Sequence, residues 1–92
     1  MFNFRKSKYF DVVFREKPAM LLVTLLESDK EIYASTLAKT IDCTYSHVVK
    51  LLKEMNKAGL IVFQKRGRLK ILTLTKKGEK LSQHIREARS LL

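Results

Sequence analysis

Between residues 44 and 58 apolar side chains return every three or four positions, at Val48, Leu51, Leu52 and Met55, before Gly59 breaks the pattern. At 100° per residue these four share one face of a helix, and Ser46, Lys50, Lys53 and Lys57 share the opposite face. The spacing predicts a helix over 44–58, with Thr44 as its N-cap and Gly59 as the residue that ends it. Upstream, "PAMLLVTLLESD" at 18–29 is apolar on nearly every side, which predicts a helix at the centre of the core, ending near Ser28 and Asp29. Pro18 suits the first turn of that helix, where its missing N–H is not needed, and is expected to push Lys17 out of helical conformation.

"EIYA" at 31–34 reads as a short extended piece, and Ser35 as the N-cap of a helix over "TLAKTI". Asp42 and Cys43 interrupt the helical pattern before Thr44 restarts it, so two short helices meet across a tight turn, the outline of a helix-turn-helix. Leu37, Ala38, Ile41, Cys43, Val48 and Leu51 are small or apolar where two such helices must pack, with Ala38 at their crossing. Asp42 stands where this motif most often has glycine, and aspartate tolerates a left-handed backbone better than most side chains.

After Gly59 the period shortens from helix to strand. "LIVFQ" and "LKILTL" flank "KRGR", so Gly67 can take the positive φ of a hairpin turn, with Lys65, Arg66, Arg68 and Lys70 around its tip. Thr75 is placed to cap a last helix on which Leu81, Ile85, Ala88 and Leu92 form a stripe. The fold class is mainly α with a small β hairpin (α+β), and no repeat or Gly/Pro-rich linker divides residues 1–92 into more than one domain.

Charge changes the picture. The chain has 92 residues and a formal net charge of +10, a self-repulsion that a polyanionic partner relieves. Residues 1–34 hold six basic and five acidic side chains, residues 35–80 eleven and three, and residues 81–92 two and one. The excess therefore coincides with the helix pair and the hairpin. A basic hairpin tip also discourages edge-to-edge aggregation, but this one directly follows a lysine-striped helix.

Other chemistry is thin. There is no glycine-rich phosphate loop, no paired-carboxylate motif and no nucleophile with a candidate base, so no catalytic residue and no cofactor are assigned. Cys43 and His47 lie four apart, two potential ligands without a third, short of the usual four of a metal site. The single cysteine excludes an intrachain disulfide. No apolar run approaches the roughly 18 residues of a membrane span, and "MFNFRKSKYF" has no apolar stretch of signal-peptide type. A soluble, cytoplasmic, nucleoid-associated protein is the expectation.

Helix, extended piece, "STLAKTIDCTYSHVVKLLKEMNKAGLI", basic hairpin and "LTLTKKGEKL", in this order, resemble the winged helix-turn-helix of the MarR-like transcriptional regulators, particularly compact archaeal versions. "AGLI" at 58–61 and "LTKKG" at 74–78 are the most telling pieces. The resemblance implies that 44–58 is a recognition helix for the major groove of double-stranded DNA and that 65–70 is a wing on the backbone or in the minor groove. Because the N-terminal part of a recognition helix meets base edges, Tyr45, Ser46, His47, Val49 and Lys50, beside Thr44, are the candidates for reading sequence. Lys53 and Lys57 fall where phosphates are met. In the wing, Lys65, Arg66, Gly67, Arg68 and Lys70 are the candidates, with Arg66 or Arg68 suited to a narrow minor groove.

The ends differ from the middle. Five of the eight aromatics, Phe2, Phe4, Tyr9, Phe10 and Phe14, lie in the first fourteen residues. With Leu81, Ile85, Ala88 and Leu92 they predict a homodimer built from about residues 1–17 and 79–92, Phe10 and Phe14 facing Leu81, Ile85 and Ala88 across a two-fold axis. The resemblance also implies a dimer. So little chain outside the motif leaves no small-molecule ligand expected. Two other readings compete with a sequence-specific regulator: a weakly specific chromatin-like DNA binder, and a winged-helix protein-interaction module, which would have no need of the basic block.

Overall fold

The computed structural model describes residues 8–92, so the expectations for Phe2 and Phe4 lie outside the described residues. A single helical turn, α1 (Phe10–Val13), leads into α2 (Glu16–Glu27), and α3 (Ala34–Thr40) and α4 (Tyr45–Lys57) form the helix pair. The hairpin β1 (Ile61–Arg66) and β2 (Leu69–Leu74) follows, and α5 (Lys76–Ser90) returns across α2. The result is an α+β winged helix. Its core gathers Leu21 and Leu22 of α2, Leu37 of the first helix of the pair and Ile41 at that helix's C-cap, Val48 and Met55 of the second, and Leu60 and Ile61, all essentially without exposure.

Two local expectations give way to tertiary structure. Lys17 is helical, the second residue of α2. The carbonyl that the Pro18 ring would strike belongs to Phe14, four residues back, which lies outside the helix at φ −88° and ψ 65°. Ser35 is not a cap either: α3 opens at Ala34, with Tyr33 in the N-cap position and no side-chain cap bond. The extended piece stops at Tyr33 because Ile32 is fixed to the sheet, its carbonyl accepting from the Leu72 N–H at 3.0 Å and its side chain buried.

Both helices of the pair end on a left-handed residue. Asp42 has φ 52° and Gly59 has φ 76°. After α3, the Cys43 N–H reaches the Ala38 carbonyl and the Asp42 N–H reaches that of Lys39; after α4, the Leu60 N–H reaches Met55 and the Gly59 N–H reaches Asn56. These are two Schellman closures. Only the first lacks glycine, and there Lys17 Nζ donates to the carbonyls of Ile41 at 2.6 Å and Asp42 at 3.1 Å.

The strands pair antiparallel, Ile61 opposite Leu74 and Arg66 opposite Leu69, so Gly67 and Arg68 make a two-residue turn. Positive φ occurs at Gly67 (61°) and not at Arg68, the pattern of a type II′ turn. At the base of the hairpin the chain is tied to α5. The Thr75 N–H donates to the Leu60 carbonyl at 2.9 Å, and the Thr75 hydroxyl donates to the Gly59 carbonyl at 2.7 Å while accepting from the Gly78 N–H at 3.0 Å. Gly78 sits so close that a Cβ there would lie 2.0 Å from the Leu60 carbonyl oxygen. One turn on, buried Ser82 donates to the Gly78 carbonyl at 2.6 Å.

At the far end Arg89 Nη2 donates to Glu27 Oε2 at 2.8 Å. This bond holds the Glu27 carboxyl below the usual carboxylate range, so the small stabilisation from this exposed pair is present near neutral pH and is lost as the pH falls through that lowered pKa.

The Gly78 contact makes a stability test. Gly78→Ala would normally favour a helix, but here the added methyl meets backbone that cannot rotate aside. The expected outcome is a loss of about 3 kcal/mol, at the upper end for overpacking, read from the shift of the urea midpoint at constant slope.

Candidate nucleic-acid interface

Helix α4 is held at both ends. Thr44 Oγ1 accepts from the His47 N–H at 3.2 Å, the N-cap bond expected from the sequence, and lies 3.5 Å from the Ser46 hydroxyl. At the C-terminus, where a helix leaves carbonyls unpaired, the Tyr9 hydroxyl donates to the Lys57 carbonyl at 3.2 Å and Lys77 Nζ to that of Ala58 at 2.9 Å. Asn56 Nδ2 donates to the Ile61 carbonyl at 2.9 Å and fixes the helix to the hairpin. Val48, Leu51, Leu52 and Met55 are buried beneath it.

The opposite face is open. Thr44, Tyr45, Ser46, His47, Lys50, Lys53 and Lys57 are exposed, and Tyr45 keeps 60% of its surface in solvent. Val49 is half-buried, at the edge turned toward the wing. Cys43 is half-buried behind the turn, and no group of three or more potential metal ligands exists among the described residues.

Strand alternation divides the wing. Phe63, Lys65, Lys70 and Leu72 share the face toward α4, and Gln64, Arg66, Ile71 and Thr73 share the other. Lys65 and Lys70 are direct cross-strand partners, a like-charge pairing that destabilises a hairpin. Lys70 Nζ lies 5.9 Å from the centroid of the Phe63 ring. Arg66 leaves the cluster that the sequence suggested: its Nη1 donates to Glu31 Oε1 at 2.6 Å behind the wing. Arg68 projects at the turn beside Gly67 and takes part in no ion pair among the described residues.

Between α4, the start of α3 and the wing lies a cleft of about 480 Å³. Lys53, Arg68 and Lys70 border it with Tyr33, Tyr45 and Phe63, and no carboxylate lines it. Tyr33 and Phe63 were not singled out by sequence. Phe63 belongs to this cleft only through the register that the two-residue turn imposes, and Tyr33 only through the Ile32–Leu72 hydrogen bond that brings the extended piece beside the sheet.

The terminal segments meet within one chain. Tyr9, Leu81 and Ile85 are partly buried against the chain's own core, and Phe10 stacks on Phe14 at 4.6 Å between centroids. Phe14, Ala88 and Leu92 remain exposed. An apolar groove of about 510 Å³ runs between Val13–Ala19 and the Leu81, Ile85 and Ala88 side of α5. No helix among the described residues is long and apolar enough to cross a membrane.

No protein-family model matches the chain. An uncharacterized protein of Archaeoglobus fulgidus is 28% identical over 78 residues, 82% of either chain. The crystal structure of AF1382 from Archaeoglobus fulgidus superposes with a TM-score of 0.80 at 25% identity, over 91% of this chain and 96% of that one. The MarR family transcriptional regulator SPO1453 from Silicibacter pomeroyi superposes with a TM-score of 0.74 at 20% identity, over 90% of this chain and 63% of its own. The fold is thus shared with MarR-family regulators, the last of which is a longer chain.

The Lys65–Lys70 pair gives a test with two opposed readouts. Lys65→Glu replaces repulsion by attraction across the strands, so the folded protein is expected to gain about 0.5 kcal/mol and melt slightly higher. Affinity for a polyanion is expected to fall in the same variant. Thermal melting and a heparin-column elution profile measure the two effects.

Proposed function

We propose that the protein is a double-stranded DNA-binding transcriptional regulator that lays α4 in the major groove and sets its wing on the backbone or in the minor groove. The observation that carries this reading is the open face of α4: Ser46, Lys50, Lys53 and Lys57 exposed in one stripe, with Lys65, Arg68 and Lys70 beside it and no carboxylate in the cleft between. A major groove about 12 Å wide admits such a helix. The shared fold supports the same orientation, since a helix-turn-helix presents the N-terminal part of its second helix to base edges.

Roles follow from position. Tyr45, Ser46, His47 and Lys50 stand where bases are read, with Val49 at the margin; Lys53 and Lys57 stand where phosphates are held. Among the wing residues, Arg68 is the candidate for the minor groove, because Arg66 would first have to leave Glu31. A homodimer completes the proposal and predicts a pseudo-palindromic site with half-sites about one DNA turn apart. Exposed Phe14, Ala88 and Leu92 support a seam at that face, whereas Leu81 and Ile85 already serve the chain's own core.

Binding is expected to depend steeply on salt. Two subunits that neutralise about 6 to 10 phosphates give a slope of log K against log salt near −5 to −9. Lys57→Ala should weaken all sequences alike and lower the slope by about one for each bound subunit. Ser46→Ala and Lys50→Ala should instead change the preference among sequences by about 1–3 kcal/mol. Equal losses on specific and random DNA would remove base reading from those positions and leave a weakly specific chromatin-like binder.

The dimer has its own measurement. Phe14→Asp changes an exposed side chain, so the fold is expected to survive while sedimentation at tens of micromolar shifts from dimer to monomer. A monomeric wild type under those conditions would reject the seam.

A further inference from the structure

Three of the eight large apolar or aromatic side chains left exposed among the described residues, Tyr45, Phe63 and Leu69, line the single cleft between α4 and the wing. Tyr33 adds a third aromatic ring, and Lys53, Arg68 and Lys70 add three cations with no acid opposed to them. An intact duplex makes little use of such rings. Its base faces are stacked on one another, so it offers a protein only base edges, sugars and phosphates. Nor does the core need them, since Tyr45 is 60% and Phe63 39% exposed.

We infer that this cleft is a binding site for an unpaired nucleotide of a DNA strand, its base lying against the Phe63 and Tyr45 rings and its phosphates between Lys53, Arg68 and Lys70. Aromatic rings set in a basic groove are the recurring means of holding single-stranded nucleic acid, because every base has a π-face and every nucleotide a charge. The volume of about 480 Å³ falls within the range of about 300–1,000 Å³ typical of sites for small organic groups. Lys70, whose ammonium lies 5.9 Å above the Phe63 ring, is placed to exchange that contact for a phosphate when a base arrives. The inference rests on the nucleic-acid reading above and extends it: the protein would bind a locally opened duplex more tightly than a closed one.

The test compares three fluorescein-labelled DNAs by anisotropy: a 20-base-pair duplex, the same duplex with three central mismatches, and one of its strands alone. The opened duplex is expected to bind about tenfold more tightly than the closed one. Phe63→Leu should abolish that preference and leave closed-duplex affinity within about twofold, and Phe63→Trp should retain the preference. The chain has no tryptophan of its own, so Trp emission in the second variant reports directly on stacking. Quenching by the opened duplex and the single strand, without quenching by the closed duplex, is the expected result. Equal affinity for open and closed duplex, a preference that survives Phe63→Leu, or unquenched emission at saturation with single strand each overturns the inference. If the closed duplex still binds in those cases, the regulator reading stands alone; if none of the three DNAs binds, both fall. Should Phe63→Leu fail to fold by circular dichroism, the wild-type preference and the Phe63→Trp emission still decide.

Discussion

The contact on which the rest of the molecule depends is the approach of the first turn of α5 to the Gly59–Leu60 backbone. Only a residue without Cβ lets the helix come that near, and Thr75 then ties three backbone groups with one amide and one hydroxyl. Leu60 is at once the end of the Schellman closure of α4 and the residue before β1. Fixing it therefore fixes the angle between the lysine-striped helix and the hairpin. Lys77, reaching the Ala58 carbonyl from the same turn, strengthens that joint. The sequence pieces "AGLI" and "LTKKG" are the two halves of one junction.

The charge distribution complements this architecture. The helix pair closes its turn on Asp42 rather than glycine and offsets that residue's left-handed strain with Lys17, a cation whose carbonyl partners keep it away from the exposed face. Glu31 turns Arg66 to the back of the wing in the same way. The lysines on α4 and on the front of the wing take part in no ion pair among the described residues, Glu54 notwithstanding, and two of them face each other across the strands. That side therefore carries unbalanced positive charge, which the DNA-binding proposal draws on.

Much of this was legible because it is local. Thr44, Gly59, Gly67 and Thr75 mark caps and turns through bonds to residues a few positions away, and all four do in the structure what their types suggest. The stripe of α4 was legible from period alone. What the sequence left open depends on distant partners. Ile32 pairs with Leu72, forty residues on, and so moves the start of α3; Arg66 faces backward because strand register and Glu31 put it there. The aromatic cleft is assembled from four separate segments, so no stretch of chain announces it. Gly78 stood inside a telling motif, yet its physical reason, a carbonyl oxygen 2.0 Å from where a Cβ would be, exists only in three dimensions.

The wing is buried only toward its base: Ile61, Ile71 and Leu72 are buried, residues 62–70 are all exposed, and beyond the base one exposed ion pair, Arg66 to Glu31, ties it to the body. Mechanically it is a two-stranded ribbon clamped at one end and held near the other by a single exposed ion pair, the kind of tie that contributes little. Isolated two-stranded hairpins are marginal in water, so small excursions of the tip are inexpensive while the clamped end follows the rigid core. For a duplex partner this compliance has a definite meaning. A finger that bends easily adjusts to wide and narrow grooves with little energetic distinction between them, so in the DNA-binding proposal discrimination among sequences would fall to the stiff, doubly capped helix.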